Sequence, residues 1–439
     1  MPANNPRPSP ADRILARLRP LTNYERTRTD KPRWSLDNMR ALLARPGAAR
    51  LRGRAVQVGG SKGKGTTALY LGALARALGL RSGVYLSPHV GDLTERVQVD
   101  GRPADDLEEV VGALLDHVGR EGLADVTFFE VMTAAAVECF ARAGVDLAVF
   151  EVGLGGRLDA TTAIPVDASI LTNVELEHTE LLGDTVEAIA AEKAHVVRPG
   201  GLAFTGAREP ALSVIAHRAA EVGATLRVRG RDFTVEAAVD GWRSVRGVVE
   251  ERGVRLPFTL PDAAAFEAEA LCFAACCARA LWPERAAAIA AALDPVAFRP
   301  ELPARFERLV TRAGLAVVDG AHTEQSLRAT TAEAQRLAPG HRWAVLFGSA
   351  AGKQWRTGLS CLAPLVDTLY VTTVEGTTSE DPGAICAYAR SVGMRAVRVE
   401  GVAEGLAALR RHAPPWLVTG SFYLAGEARR LLLAEIVAR

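Results

Sequence analysis

Residues 59–67 read Gly-Gly-Ser-Lys-Gly-Lys-Gly-Thr-Thr. The apolar run Ala55-Val56-Gln57-Val58 leads in, and a helical pattern from Thr66 to Leu78 leads out. A glycine-rich turn between a strand and a helix is a phosphate cradle: its backbone N–H groups converge on anionic oxygens, and the helix N-terminus adds partial positive charge. The usual pattern is G-x-x-x-x-G-K-[ST]. Here Val58 stands at the first glycine position, and Gly65 separates Lys64 from Thr66. In this reading Gly60, Ser61, Lys62, Gly63, Lys64, Gly65, Thr66 and Thr67 hold phosphates, and Thr66 or Thr67 offers a hydroxyl to Mg²⁺. The bland alternative is a glycine-rich turn with incidental lysines.

One internal comparison favours the cradle. The chain carries 52 Lys+Arg, but lysine occurs only at 31, 62, 64, 193 and 353. Arginine serves almost everywhere else, so lysine is expected to persist where a compact ammonium or a nucleophilic amine is needed. Two of the five sit in this loop.

Outward from the loop, strands and helices alternate. Val56–Val58, Ser82–Leu86, Asp146–Glu151, Ala168–Thr172 and Leu202–Thr205 read as strands; Asp105–Gly119, Phe129–Ala143 and Thr185–Val196 read as helices. That alternation predicts βαβ units and a parallel sheet. Thr225–Arg229, Phe233–Ala238, Val245–Glu250 and Val254–Leu260 read as a small antiparallel β appendage, and Asp262–Leu281 as an alanine-rich helix. Pro295, Pro300 and Pro303 mark a domain boundary near 295–303. Beyond it Leu315–Asp319, Trp343–Gly348, Thr368–Thr373, Ala396–Val399 and Leu417–Thr419 read as strands of a second doubly wound domain. The fold class is therefore α/β, with domains at 1–298 and 299–439.

Composition excludes some classes. A net charge of +1 gives no basic surface for nucleic acid. The start, Met1–Pro10, lacks the apolar core of a signal peptide, and no apolar run is long enough to span a membrane, so a cytoplasmic location is expected. The six cysteines show no metal-site spacing, and Cys272, Cys276 and Cys277 read as buried thiols in a helix.

Further candidates lie at strand ends. Glu151 closes the strand Asp146–Glu151, where a carboxylate facing a phosphate loop suits a metal. The next strand is followed by Glu175, Glu177 and His178. Lys193 lies on a helix, where a solvated residue is the ordinary expectation. Asp319 ends a strand of the second domain, and Arg305 follows the proline break; each is a candidate nucleotide contact.

Ordered blocks carry a resemblance: Gly60–Thr66, Tyr85-Leu86-Ser87-Pro88-His89, Phe150–Thr161, Glu177–Glu180 with Leu182–Thr185, Glu192-Lys193-Ala194, Asp319–His322 and Thr419–Gly426. On them the chain resembles the folylpolyglutamate synthase / dihydrofolate synthase family, within the Mur-type amide ligases. The resemblance implies a P-loop ATPase domain followed by a Rossmann-like domain. It implies an ATP-dependent ligase joining L-glutamate to a pterin-linked carboxylate through an acyl phosphate. Residue by residue, it implies Ser87 and Glu151 on one Mg²⁺, His178 on a second, and a carbamylated Lys193. Thr127, Phe128, Phe129 and Glu130 with Leu158, Asp159 and Ala160 would line the pterin site, and Arg305 and Asp319 would touch the nucleotide. Lys64, His178 and Lys193 are the expected catalytic groups, and the chain is expected to work as a monomer. Lys62 replaces the family's usual Asn, Glu177 its Asp, and Thr323 its Asn; Ala270 stands where Asn is frequent. A ligase for another acid, or a silent nucleotide-binding protein, are the alternatives.

Overall fold

The computed structural model describes residues 8–23, 35–45, 49–240, 244–293 and 299–437. Lys31 and Pro295 lie outside them. The chain divides into two compact units: 1–238, 245–261 and 267–300 in the first, and 239–244, 262–266 and 301–439 in the second.

The first unit is built on an eight-stranded sheet. Its strands are β1 (Arg54–Gly59), β2 (Ser82–Tyr85), β3 (Val97–Val99), β4 (Arg102–Pro103), β5 (Leu147–Glu151), β6 (Ala168–Leu171), β7 (Leu202–Thr205) and β8 (Thr225–Val228). The order is β4-β3-β2-β5-β1-β6-β7-β8. The pairs from β2 to β8 are parallel, whereas β3 runs antiparallel to β2 and to β4. Every residue of β5 and all of β1 after Arg54 are buried, as a strand covered on both faces requires. Gln57 is the polar exception in β1. It is buried but paired: its amide donates to Thr161 Oγ1 (2.8 Å) and Thr162 Oγ1 (2.9 Å), and its carbonyl accepts from Arg198 (2.8 Å).

This topology places the glycine-rich loop after β1. From β1 the chain crosses toward β2 on one side, and later strands add on the other through β6. The loops after β1, β5 and β6 thus share the C-terminal edge at the point where strand order reverses, the usual ligand crevice of an open parallel sheet.

Three further strands, β9 (Phe233–Asp240), β10 (Ser244–Glu251) and β11 (Val254–Pro261), form a separate sheet in the order β11-β10-β9. The segment expected as a fourth strand of it, Thr225–Arg229, instead pairs with β7 in the main sheet over Thr225–Val228. The reason is connectivity: the helix Ala211–Glu221 supplies the crossover that a parallel neighbour needs. The alanine-rich helix begins at Glu267, not Asp262, and residues 262–266 group with the second unit. Cys272, Cys276 and Cys277 are buried free thiols within it.

The second unit carries a six-stranded sheet of β12 (Glu307–Val310), β13 (Leu315–Val318), β14 (Trp343–Phe347), β15 (Val366–Val371), β16 (Arg395–Arg398) and β17 (Trp416–Thr419), in the order β12-β13-β17-β14-β15-β16. All its pairs are parallel except β12 with β13. The antiparallel β12 was not read from the sequence. The expected α/β class, a parallel-rich sheet followed by a Rossmann-like sheet, is the one observed. No described helix is long and apolar enough to cross a membrane.

Candidate active site

The turn between β1 and the helix Lys64–Ala77 is bent by glycine. Gly60 has φ +129°, and a Cβ there would lie 2.0 Å from Thr172 Oγ1. Both the backbone and the space exclude a side chain. Gly63, with φ +81°, caps the helix. The end of β6 clamps the turn from the side. Ser61 N donates to the Asn173 carbonyl (2.9 Å), Lys62 N to Asn173 Oδ1 (2.8 Å), and Thr172 Oγ1 to the Lys62 carbonyl (2.7 Å). Ser61 Oγ in turn accepts from Glu175 N (3.0 Å). Thr66 and Thr67 are buried at the start of the helix.

Three of the five lysines meet at this loop. Lys64 Nζ donates to the carbonyls of Gly60 (2.9 Å) and Ser61 (3.2 Å). Lys193 Nζ donates to the Gly60 carbonyl (3.3 Å) and to Glu177 Oε1 (3.0 Å). Lys62 Nζ reaches the other oxygen of Glu177, Oε2, at 3.3 Å. Lys193 is only 2 % exposed, so the solvated helix residue that its position alone suggested is not what the fold makes of it. Burial lowers the Lys193 amine from its ordinary value, against the attraction of Glu177. Burial pushes Glu177 the opposite way to its cations, but Lys193, Lys64 and Lys62 prevail and hold its carboxyl well below the usual range. Glu175 is raised, chiefly by burial.

Ser87, just past β2, and Glu151, ending β5, are brought together: Ser87 N donates to Glu151 Oε2 at 3.0 Å. Ser87 Oγ is buried with no hydrogen-bond partner among the described residues. An orphaned hydroxyl beside a buried carboxylate is a donor set that suits a hard cation. Mg²⁺ characteristically takes one or two protein oxygens and completes its octahedron with phosphates and water. Among the described residues no three His, Cys, Asp or Glu side chains gather as a metal cluster. His178 follows β6 in left-handed backbone (φ 49°, ψ 40°) at the start of the short helix Thr179–Leu182. That conformation is uncommon outside glycine and tends to collect at functional turns.

Asp159 ties down the glycine-rich turn after β5. It accepts from Gly153 N, Leu154 N and Thr161 N (3.0 Å each) and from Thr161 Oγ1 (2.5 Å). Ala160 is buried and Leu158 is 37 % exposed. Thr127 and Glu130 form a capping box at the helix Phe128–Ala143, Thr127 Oγ1 accepting from Glu130 N and Glu130 Oε2 accepting from Thr127 N (2.8 Å). Phe129 packs on Tyr85 with ring centroids 5.9 Å apart, and Arg96 lies 5.0 Å over the Phe128 ring. Asp159, Thr127 and Glu130 thus each hold turn or cap hydrogen bonds that shape these two segments.

In the second unit Asp319 ends the run of β13. Its oxygens accept from Ala321 N (3.0 Å) and Thr330 Oγ1 (2.9 Å). Arg305 lies 5.5 Å over the Phe422 ring, and its charge also acts on Asp319. Thr323, one of the departures, caps the helix Glu324–Leu337 by a reciprocal box with Ser326, a role that Thr fills well. Burial pushes Asp319 up to about 6 from an ordinary 3.8. Because the fold favours the neutral acid, the penalty is absent below about pH 4 and complete above about pH 6, on the order of 3 kcal/mol at most. Asp319→Asn is therefore expected to gain stability relative to the native chain as pH rises through that window. Melting temperatures of both proteins from pH 4 to 7 check this; a difference that does not change with pH contradicts it.

Thr172 and Asn173 were not singled out as site residues from the sequence, and Glu177 was named there without a role. Their signal was position: they follow the strand next to β1, on the same sheet edge.

Residues 304–422 match the Mur ligase glutamate ligase domain. The folylpolyglutamate synthase of Lacticaseibacillus casei is 30% identical over 412 residues, covering 89% of this chain and 93% of that protein. This chain belongs to the folylpolyglutamate synthase/dihydrofolate synthase family. A probable bifunctional folylpolyglutamate synthase/dihydropteroate synthase of Haloferax volcanii is 35% identical over 431 residues. The match takes in 92% of this chain but 49% of that protein, so the chain spans about half that relative's length. Among solved structures, Escherichia coli FolC in complex with DHPP and ADP superposes with a TM-score of 0.84 at 27% identity, covering 97% of this chain and 99% of that one. The bifunctional folylpolyglutamate synthase/dihydrofolate synthase of Yersinia pestis, complexed with AMPPNP and Mn, gives 0.80 at 28% identity, over 98% and 100% of the two chains.

Proposed function

We propose that this member of the folylpolyglutamate synthase/dihydrofolate synthase family is an ATP- and Mg²⁺-dependent ligase. It joins L-glutamate to dihydropteroate, to a folate, or to both. The observation that carries the reading is the gathering of Lys62, Lys64 and Lys193 on a β1 phosphate loop beside the Ser87–Glu151 pair. The nucleotides, metal and DHPP named for the two solved relatives support the ligand classes.

A carboxylate is a poor electrophile until it is phosphorylated, and phosphoryl transfer needs charge neutralised and groups aligned more than covalent help. The loop N–H groups and Lys64 hold the phosphates and meet the charge that builds on the transferring group. Mg²⁺, when bound, neutralises phosphate charge; Ser87 Oγ and Glu151 would hold it, and His178 is assigned to a second ion. The substrate carboxylate takes the γ-phosphoryl group, the glutamate amine attacks the acyl phosphate, and phosphate leaves as the amide forms. Lys193 is assigned as a carbamate. The amine adds to CO₂ only in its neutral form, and the burial that lowers Lys193 favours that form. The pterin is assigned to Thr127–Glu130 and Leu158–Ala160, of which Phe129 and Leu158 are the contact candidates. Arg305 and Asp319 are assigned to the nucleotide. The assignment treats 1–298 as the ATPase domain and 299–439 as the ligase domain, of a cytoplasmic monomer.

Incubation with ATP, Mg²⁺ and glutamate is expected to add one glutamyl unit by mass to dihydropteroate, to a reduced folate, or to both. Failure with both acceptors, while another acid drives ATP hydrolysis, would assign the chain to a different carboxylic acid. Failure to turn over ATP with any acid would leave a nucleotide-binding protein.

A further inference from the structure

We propose that Gln57 is a positioning residue for the acceptor: with Arg198 behind it, it sets the shape of the glycine-rich turn 153–159, part of which the reading above assigns to the pterin. The inference rests on that assignment and deepens it. A glutamine inside a strand covered on both faces is costly unless both ends of its amide are paired. Gln57 is fully buried, in register with Phe150 of β5 and Ser169 of β6. Its amide bonds leave the sheet, for the segment after β5 and for Arg198, which follows the helix Val186–Lys193.

Chemistry fixes the direction of those bonds. A guanidinium only donates, so the amide oxygen faces Arg198 Nη2 (2.8 Å), and the amide NH₂ faces Thr161 Oγ1 (2.8 Å) and Thr162 Oγ1 (2.9 Å). Each hydroxyl hands its own proton on to a group that only accepts: Thr161 to Asp159 Oδ1 (2.5 Å), Thr162 to the Gly156 carbonyl (2.6 Å). The fork therefore grips the turn on both sides of Leu158. Asp159 carries the grip to the start of the turn, accepting from Gly153 N and Leu154 N (3.0 Å each). Gly153 in turn backs onto Phe129, whose Cζ would lie 2.6 Å from a Cβ placed there. Arg198 closes the network from behind, donating to the carbonyls of Thr162 (2.7 Å) and Ile164 (3.4 Å). One oriented chain of hydrogen bonds thus runs from Arg198 through β1 to the backbone that carries Leu158 and abuts Phe129. None of these bonds goes to residues 60–67, so the network shapes the acceptor side and leaves the phosphate side to its own contacts.

The test is calorimetric binding of dihydropteroate, of a reduced folate and of ADP to the full-length protein at pH 8, where a carboxylate beside a guanidinium is ionised. Gln57→Glu keeps size and the pairing with Arg198 but has no proton to give, so each threonine hydroxyl must choose between it and the turn. This variant is expected to bind dihydropteroate about tenfold more weakly, the scale of one net hydrogen bond, with ADP affinity within about twofold of native. Thr162→Val, which cuts one arm of the fork at nearly constant volume, should weaken dihydropteroate severalfold, and adding it to Gln57→Glu should cost little more, because both act on one network. Native dihydropteroate affinity in Gln57→Glu overturns the role given to Gln57 and leaves the function reading intact. Equal losses of dihydropteroate and ADP affinity make the network general support for the sheet, and also overturn it. Should Gln57→Glu fail to fold, Thr162→Val decides: native affinity for dihydropteroate there overturns the proposal. A native chain that binds neither dihydropteroate nor a reduced folate overturns the function reading itself, and the proposal with it.

Discussion

Lys64→Ala is expected to lose turnover by about 10²–10³-fold in kcat, the cost typical of removing one preorganised electrostatic group from a transition state. In the structure this ammonium already lies on the loop, within hydrogen-bond reach of the Gly60 and Ser61 carbonyls. Phosphates bound by the loop N–H groups would have Lys64 beside them without a long side-chain search. The loss should fall mainly on kcat, because the backbone cradle keeps much of the ground-state affinity. Steady-state kinetics with ATP varied at saturating acceptor and glutamate separate the two parameters. A variant with near-normal kcat would remove the phosphate-loop assignment. The fold should survive, since among the described residues Lys64 bonds carbonyls of its own loop, and a native-like melting temperature confirms that the kinetics report chemistry.

Lys193→Ala is expected to be the second large loss, of order 10²-fold in kcat, the scale of one misplaced positioning group. Short carboxylic acids such as acetate should recover part of it. The reasoning is geometric. Removing the side chain empties a buried space beside Glu177 and the Gly60 carbonyl, and a small carboxylate supplies the anionic oxygens that a carbamate would provide. A primary amine in the same assay should not rescue. If amine rescues and acetate does not, the working form of Lys193 is the ammonium. A fully active variant with no rescue would make the lysine structural. Glu177 loses one of the two ammonium groups bonded to it in this variant, so some loss of stability is expected alongside the loss of rate.

Much of this site was legible before any coordinates. β1, its glycine loop and the following helix announce themselves because a buried strand needs an unbroken apolar run and a phosphate turn needs glycines at fixed places. Glu151 stood out because it ends such a run. Other features were hidden for stated reasons. Thr225–Arg229 was assigned to the wrong sheet because an apolar alternation shows that a strand exists, not which neighbour it pairs with. The short β12 was missed, and its register against β13 depends on residues that only the fold brings alongside. The turn and cap hydrogen bonds that Asp159, Thr127 and Glu130 make were not read from the sequence, because they depend on the local backbone geometry.

The sequence by itself determined that an α/β chain of two doubly wound parts carries a phosphate loop, a strand-end acid and an oddly retained lysine at 193. Those facts follow from local rules: apolar period, glycine at positive φ, and the choice of Lys over Arg. What Lys62 touches was decided only by the tertiary structure. Its partner Glu177 is 115 residues away in the chain, and Lys193 lies 133 residues from the Gly60 carbonyl it touches. Electrostatic pairing depends on distance in space and on shared burial, and neither quantity is written in sequence spacing.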